Sequence, residues 1–291
     1  MRRIEESELI INPDGSVFHL HINPGQLAPN IILVGDPGRV ETVAGFFDKI
    51  EYSSSNREFV SRTGTHKNTP FTVLSTGIGT DNIDIVMNEL DALVNVDFET
   101  RTVKSELTSL NIVRIGTSGS LQESLPVDSG LLSEKAIGFD GLLNFYKGCE
   151  SICDLAFEKE LIRAIGWSER LTKPYVVEAD KDLFNLLSDG NVHKGVTISA
   201  PGFYGPQGRI LRLPLQNAAI NEKLSHFRYE GKRITNYEME CSAIYGLSKL
   251  LGHKAAAICA IIANRKAGTY SKDYKSVVKE LIVYALEHLS R

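Results

Sequence analysis

Cysteine is scarce, which removes the class of small disulfide-stapled folds. Four cysteines (Cys149, Cys153, Cys241 and Cys259) in 291 residues make no framework, and Cys149 and Cys153 have neither CxxC spacing nor histidines beside them. Buried or half-buried thiols are expected, with no metal site. Long apolar runs are missing too. The longest, Ala255 to Ala263, is far too short to span a bilayer, and the opening MRRIEESELI sets acids where a secretory signal needs apolar residues. The expectation is a cytoplasmic protein with no membrane partner. No excess of one charge exists either: 32 basic and 36 acidic side chains leave a formal charge of −4, so no nucleic-acid partner is expected and any anion site must be local. P-loop, HExxH and GxSxG motifs, internal repeats, low-complexity tracts and Pro/Ser-rich linkers are all absent.

What is present is a chain that can bury a large core, 42% apolar and only 23% charged. Short β-rich runs bounded by glycine recur at Ile31–Gly35, Phe71–Ser75, Asn111–Gly116, Gly195–Ser199 and Ala256–Ile262. Several are apolar throughout, as strands covered on both faces are. Between and after them lie apolar residues at helical spacing: Ile83, Val86, Leu90, Leu93 and Val94; Ala243, Ile244, Leu247, Leu250 and Leu251, ending at Gly252; and Val277, Val278, Leu281, Ile282, Ala285 and Leu289. This alternation predicts an α/β fold, one domain over residues 1–291 with a sheet flanked by helices on both faces. Such sheets bind ligands at the carboxyl ends of their strands. Residues 120–194 fit the pattern least and are expected to hold an insertion or a helical excursion.

Three glycine-containing turns are expected after strands: Gly35-Asp36-Pro37-Gly38-Arg39, Gly77-Ile78-Gly79-Thr80, and Arg114-Ile115-Gly116-Thr117-Ser118-Gly119. Glycine lets backbone N–H groups approach a ligand, and arginine or threonine adds donors suited to phosphate. The Gly77-x-Gly79 pair, with Asp97 about 20 residues on, resembles the start of a dinucleotide fingerprint, but Asn82 replaces its third glycine. Two further segments stand out. Phe203-Tyr-Gly-Pro-Gln207-Gly-Arg209 gathers an aromatic, an amide and a guanidinium in one constrained loop, which suits a planar heterocycle with donors and acceptors. Glu238-Met239-Glu240 precedes a predicted helix, where acids are favoured by the helix dipole without any function.

Taken together and in order, these residues resemble the nucleoside phosphorylase family, most closely its uridine-cleaving members. The match runs through Phe18-His19-Leu20, Gly35 to Arg39, Arg57-Glu58-Phe59, Ser75 to Gly79, Arg114 to Thr117, Phe203 to Arg209, Asn236 to Glu240 and Asn264-Arg265, and covers most of the chain. The resemblance implies a nucleoside phosphorylase-like mixed sheet and a pentosyltransferase that converts uridine and phosphate into uracil and ribose 1-phosphate. It implies that Gly35, Arg39, Arg114 and Thr117 hold phosphate, with Arg57 and His19 serving a neighbouring subunit's site. Met239 and Glu240 would hold the ribose, beside Glu238. Gln207 and Arg209 would read the uracil edge and Phe203 would pack on the ring, so Arg114, Gln207, Arg209 and Glu240 are the expected catalytic set. No cofactor is implied beyond inorganic phosphate as co-substrate, and the assembly implied is a homodimer or a hexamer of dimers. Gly79-Thr80-Asp81-Asn82 departs from the Gly-Gly-Pro-Ser of many bacterial members, and so from the interface that binds a monovalent cation in some of them, although Glu58 of that site is kept. Purine members place an aspartate after the last core strand to protonate the base, where this chain has Asn264-Arg265. The rivals in order are a purine nucleoside phosphorylase, a nucleosidase of the same superfamily and a non-catalytic nucleoside binder; the matched arginines argue against the last two.

Overall fold

A computed structural model describes residues 2–188 and 192–291. In chain order its elements begin β1 (Asn30–Val34), α1 (Pro37–Ala44), β2 (Lys49–Asn56), β3 (Phe59–His66), β4 (Thr69–Ser75), α2 (Thr80–Asn95), β5 (Val96–Asp97), β6 (Thr102–Val103), β7 (Asn111–Ser120) and β8 (Gly130–Gly138). They continue with α3 (Leu155–Ile165), β9 (Tyr175–Glu178), α4 (Lys181–Leu186), β10 (His193–Ser199), α5 (Ile220–His226), β11 (Arg228–Tyr229), β12 (Lys232–Glu238), α6 (Cys241–Leu251), β13 (Lys254–Asn264), β14 (Thr269–Tyr270) and α7 (Tyr274–Leu289).

One mixed sheet runs in the order β11-β12-β10-β8-β13-β7-β1-β4-β3-β2. The alternation of side chains along β1 explains why it is apolar throughout. Ile31 and Leu33 enter a core with residues of α2 and α6, whereas Ile32 and Val34 enter another with residues of α1 and α7. Helices therefore cover both faces, as the sequence pattern implies. The helix ends obey local chemistry. Asp36 caps α1 by accepting from the Gly38 N–H at 2.9 Å, with Pro37 at the first position, and Gly252 closes α6 at φ +81°.

The described residues of 120–194 hold the expected helical excursion, α3 and α4, and are not an insertion outside the sheet. They supply β8 and β9, and β8 joins β10 on one side and β13 on the other. Antiparallel pairing of Asn236 and Tyr237 with Ser120 and Gly119 brings β12 back onto β7, so β12, β10, β8, β13 and β7 close a ring. Its strands carry buried polar groups, several of which meet one another: Ser133 and Thr197 hydroxyls lie 2.6 Å apart, and Thr197 and Thr235 donate to Asn236 Oδ1 at 2.9 and 2.8 Å.

A second correction concerns the third glycine turn. Gly116 to Gly119 lie inside β7, which continues to Ser120 paired with β13. Glycine is needed at 116 for packing and not for a turn, because a Cβ there would meet Cys259 Sγ at 3.0 Å and Arg114 Cζ at 3.2 Å.

Candidate active site

The expected site residues gather where several strands end. β1 delivers Gly35, β4 delivers Thr76 and Gly77, β10 leads into the Phe203–Arg209 loop, and β12 ends on Glu238. Gly35 and Gly77 abut across neighbouring strands: a Cβ on Gly35 would lie 3.4 Å from the Gly77 carbonyl oxygen. Into this floor β7 projects Arg114, which is buried. Its Nε donates to Glu238 Oε2 at 3.3 Å and its Nη2 to Glu240 Oε2, while Nη1 has no partner. Burial works against the charge on Arg114, but Glu240 and then Glu238 outweigh it and raise the pKa.

Arg39 comes from the first turn of α1 and donates to the Ile115 carbonyl at 3.1 Å, beside the Arg114 strand position. Burial, and then the like charge of Arg114, hold its guanidinium below the ordinary value. A buried guanidinium with an unsatisfied N–H group, Arg114, and a half-buried one that it repels, Arg39, form a place that an oxyanion would stabilise. Thr117 adds a half-buried hydroxyl with no hydrogen-bond partner among the described residues.

The two glutamates before α6 have different work. Glu238 is saturated by protein donors: Ser199 Oγ, Arg114 Nε, and the backbone N–H groups of Glu240 and Cys241 at 2.8 and 2.9 Å. It holds the start of α6 and the orientation of Arg114. Burial raises its carboxyl above the ordinary value, with Arg114 opposing. Glu240 takes one bond on each oxygen, from Arg114 and from the Gly79 N–H at 2.7 Å. An ionised carboxylate offers about four lone-pair sites, so Glu240 keeps capacity for hydroxyl donors. The Gly79 bond also answers the dinucleotide reading, since a protein carboxylate occupies the amide that opens α2. Met239 lies half-buried between the two acids.

At the other end, Gln207 is buried, and its Oε1 accepts from Arg209 at 2.6 Å and from Arg265 at 2.8 Å. Guanidiniums only donate, so this clamp fixes the amide orientation and leaves Nε2 free of protein partners among the described residues. Arg209 also stacks 3.7 Å over the Phe203 ring, covering one face of an otherwise half-exposed side chain. Arg265 sits over the Tyr237 ring, its pKa pushed down to about 10 by burial and then by Arg209.

His19 and Arg57 stand apart from both ends. Arg57 is exposed at the tip of the β2/β3 hairpin with φ +53° and makes no hydrogen bond or ion pair among the described residues. His19 contacts Glu89 through Nδ1 at 2.6 Å, and its carbonyl accepts from Asn56, the neighbour of Arg57, at 2.9 Å. The two therefore share one edge of the chain.

A model of the phosphorylase superfamily matches residues 29–286. The chain belongs to that superfamily. A nucleoside phosphorylase from Trypanosoma brucei, whose crystal structure is described as showing uridine phosphorylase activity, superposes with TM-score 0.85 at 32% identity, covering 97% of this chain and 99% of that one. Uridine phosphorylases from Thermococcus kodakarensis and Escherichia coli are 27% and 28% identical, covering 89% and 86% of this chain and 81% and 86% of theirs. The purine nucleoside phosphorylase of Toxoplasma gondii, at 20% identity and TM-score 0.69, shares the fold.

Within the phosphorylase superfamily fold, Arg265 is the residue that sequence reasoning passed over. Asn264-Arg265 drew notice only for lacking an aspartate, yet Arg265 is half of the clamp on Gln207. Asn264 faces elsewhere: Nδ2 donates to the Gln122 and Leu125 carbonyls at 3.0 and 2.8 Å, and Oδ1 accepts from the Ala267 N–H. It secures a loop and has no proton to give a departing base. The packing around Gly116 offers a first test of the anion end. Gly116→Ala should push Arg114 off its position and raise the phosphate KM several-fold, at a stability cost of about 1–3 kcal/mol. Phosphate titration and chemical denaturation of the variant check both.

Proposed function

We propose that the chain catalyses uridine + phosphate ⇌ uracil + ribose 1-phosphate, a pentosyl transfer. The observation that carries the reading is the base end, where one buried amide is held by two guanidiniums. Uracil presents adjacent N3–H and carbonyl groups and leaves carrying negative charge. The free Nε2 of Gln207 meets a carbonyl, and Arg209 and Arg265 meet the developing charge, so no acid is needed to protonate the base. Phosphate seated by Arg39, Arg114, Thr117 and the Gly35 turn attacks the anomeric carbon from the opposite side, an encounter made unimolecular by its positioning. Glu240 accepts the ribose hydroxyls. Because it also bonds Arg114, sugar and phosphate are registered on one ion pair.

Inorganic phosphate is the only co-substrate in this reading. Glu58 accepts from Asn82 Nδ2 at 3.2 Å, a protein donor where a monovalent cation would otherwise draw the carboxylate. Among the described residues no helix is long and apolar enough to cross a membrane; with nucleoside and phosphate as small-molecule partners, a cytoplasmic setting fits. In one tube holding uridine, inosine and phosphate, uracil should be released at least ~100-fold faster than hypoxanthine. Hypoxanthine released first would transfer the assignment to the purine branch.

The free Arg57 and its neighbour His19 support an assembly, a dimer or a hexamer of dimers, in which this edge completes an adjacent subunit's site. A non-glycine residue held at positive φ costs on the order of 1 kcal/mol, which is typical where conformation serves function. Mixing inactive Arg57→Ala chains with inactive Arg114→Ala chains should restore activity, because hybrid dimers contain one intact site. Activity that stays at the level of the separate variants after exchange would remove Arg57 from the neighbouring subunit's site.

A further inference from the structure

A cavity adjoins the base-reading loop, with Tyr204, Pro206 and Arg209 in its lining. Its volume is about 1080 Å³, the size of a small-molecule site. Its walls are the turn after α3, with Trp167, Arg170 and Leu171, and the strip from Tyr204 to Asn217, which exposes Leu211 and Leu213. Among the described residues four cations line it (Arg170, Arg209, Arg212 and Lys223) and no acid does. Arg170 and Arg212 make no side-chain hydrogen bond or ion pair among the described residues, whereas Lys223 is tied to the Ile165 carbonyl at 2.9 Å. Apolar walls carrying uncompensated positive charge complement a ligand that is flat and unsaturated at one end and anionic at the other.

We propose that this cavity is a regulatory site for a small aromatic anion, acting on the base end through Arg209. Arg209 belongs to both places: it lines the cavity, and its Nη1 donates to Gln207 Oε1 at 2.6 Å and to the Phe203 carbonyl. An anion in the cavity competes for that guanidinium and loosens the clamp on Gln207. Occupancy therefore weakens uridine binding and leaves the phosphate end, built on Arg39 and Arg114, untouched. This coupling rests on the uridine reading above; the existence of the site does not.

The chain's single tryptophan, Trp167, lines the cavity and reports on it directly. The probe is 8-anilinonaphthalene-1-sulfonate added to the assembled enzyme, with energy transfer from Trp167 as the readout. One saturable site per chain is expected, weakened at least ~10-fold in Arg170→Ala/Arg212→Ala, since two charge-assisted contacts are lost. The neutral analogue N-phenyl-1-naphthylamine should bind more weakly than the sulfonate. Saturating sulfonate should raise the uridine KM about 5-fold with the phosphate KM unchanged, and the double variant should lose that response while keeping its activity without the dye. Unchanged dye affinity in the double variant, displacement of the dye by phosphate, or absence of binding because a second copy covers the cavity would each overturn the site. Dye bound as expected with no change in uridine KM would overturn the coupling. An enzyme inactive on uridine would leave the binding arm decisive for the site while refuting the functional reading.

Discussion

Arg114→Ala should lower turnover by about 10²–10³-fold, the usual cost of removing one preorganised donor to developing or transferred charge, and should also destabilise the chain by about 3–5 kcal/mol. The second figure follows from what remains. Glu238 and Glu240 are buried and both bond this guanidinium, so the variant leaves two neighbouring carboxylates without their cation. Against a typical domain stability of about 5–15 kcal/mol, that loss is large, and activity must be measured where the variant is still folded. Arg114→Lys separates the effects. An ammonium restores charge but cannot bridge two carboxylates in the planar manner of Nε and Nη2, so stability should return partway while the phosphate KM stays high. Denaturation curves and phosphate titrations of both variants make the check. Wild-type stability in the alanine variant would mean that the ion pair is not what holds β7 to the start of α6.

The largest effect on selectivity should come from Gln207. Wild-type enzyme should prefer uridine over cytidine by a factor on the order of 10⁴, because cytosine removes the N3 proton and replaces a carbonyl by an amino group, leaving buried donors of the site unpaired. Gln207→Glu is the sharper variant. A carboxylate at 207 would pair with Arg209 and Arg265 and relieve their mutual repulsion, so folding stability should hold or rise. The same change deletes Nε2, the one free donor of the clamp, and kcat/KM for uridine should fall about 10²-fold or more. A stable variant that has lost uridine, assayed by denaturation and steady-state kinetics, separates recognition from packing. Full activity in Gln207→Glu would show that this amide does not read the base.

Much of the framework was legible because its strands are apolar. β1 and β13 are buried on both faces and read as continuous apolar runs, and α2, α6 and α7 show their helical periods. β8 and β12 were missed for the opposite reason. β8 carries Ser133 and Lys135 and β12 carries Thr235 and Asn236, polar residues buried because partners meet them: Lys135 bridges Asp154 and Glu178 at 2.6 and 2.7 Å. No local pattern announces such partners. Pairing across long stretches of chain was equally hidden. Arg114 and Glu240 lie 126 positions apart, and only the fold shows that one ion pair joins the anion end to the sugar end. Nor could spacing tell that Glu238 would be consumed by the start of α6 while Glu240 kept lone pairs to offer. Arg265 escaped because its contribution depends on β13 ending beside the Gln207 loop.

The most direct test of the central claim is the rate of uracil release from uridine as a function of phosphate concentration, with the sugar product identified. The geometry of Arg39, Arg114 and Thr117 predicts a saturable dependence on phosphate, negligible release in its absence, and ribose 1-phosphate formed in equal amount to uracil. Release that proceeds equally fast without phosphate and yields free ribose would contradict the account and make the enzyme a hydrolase.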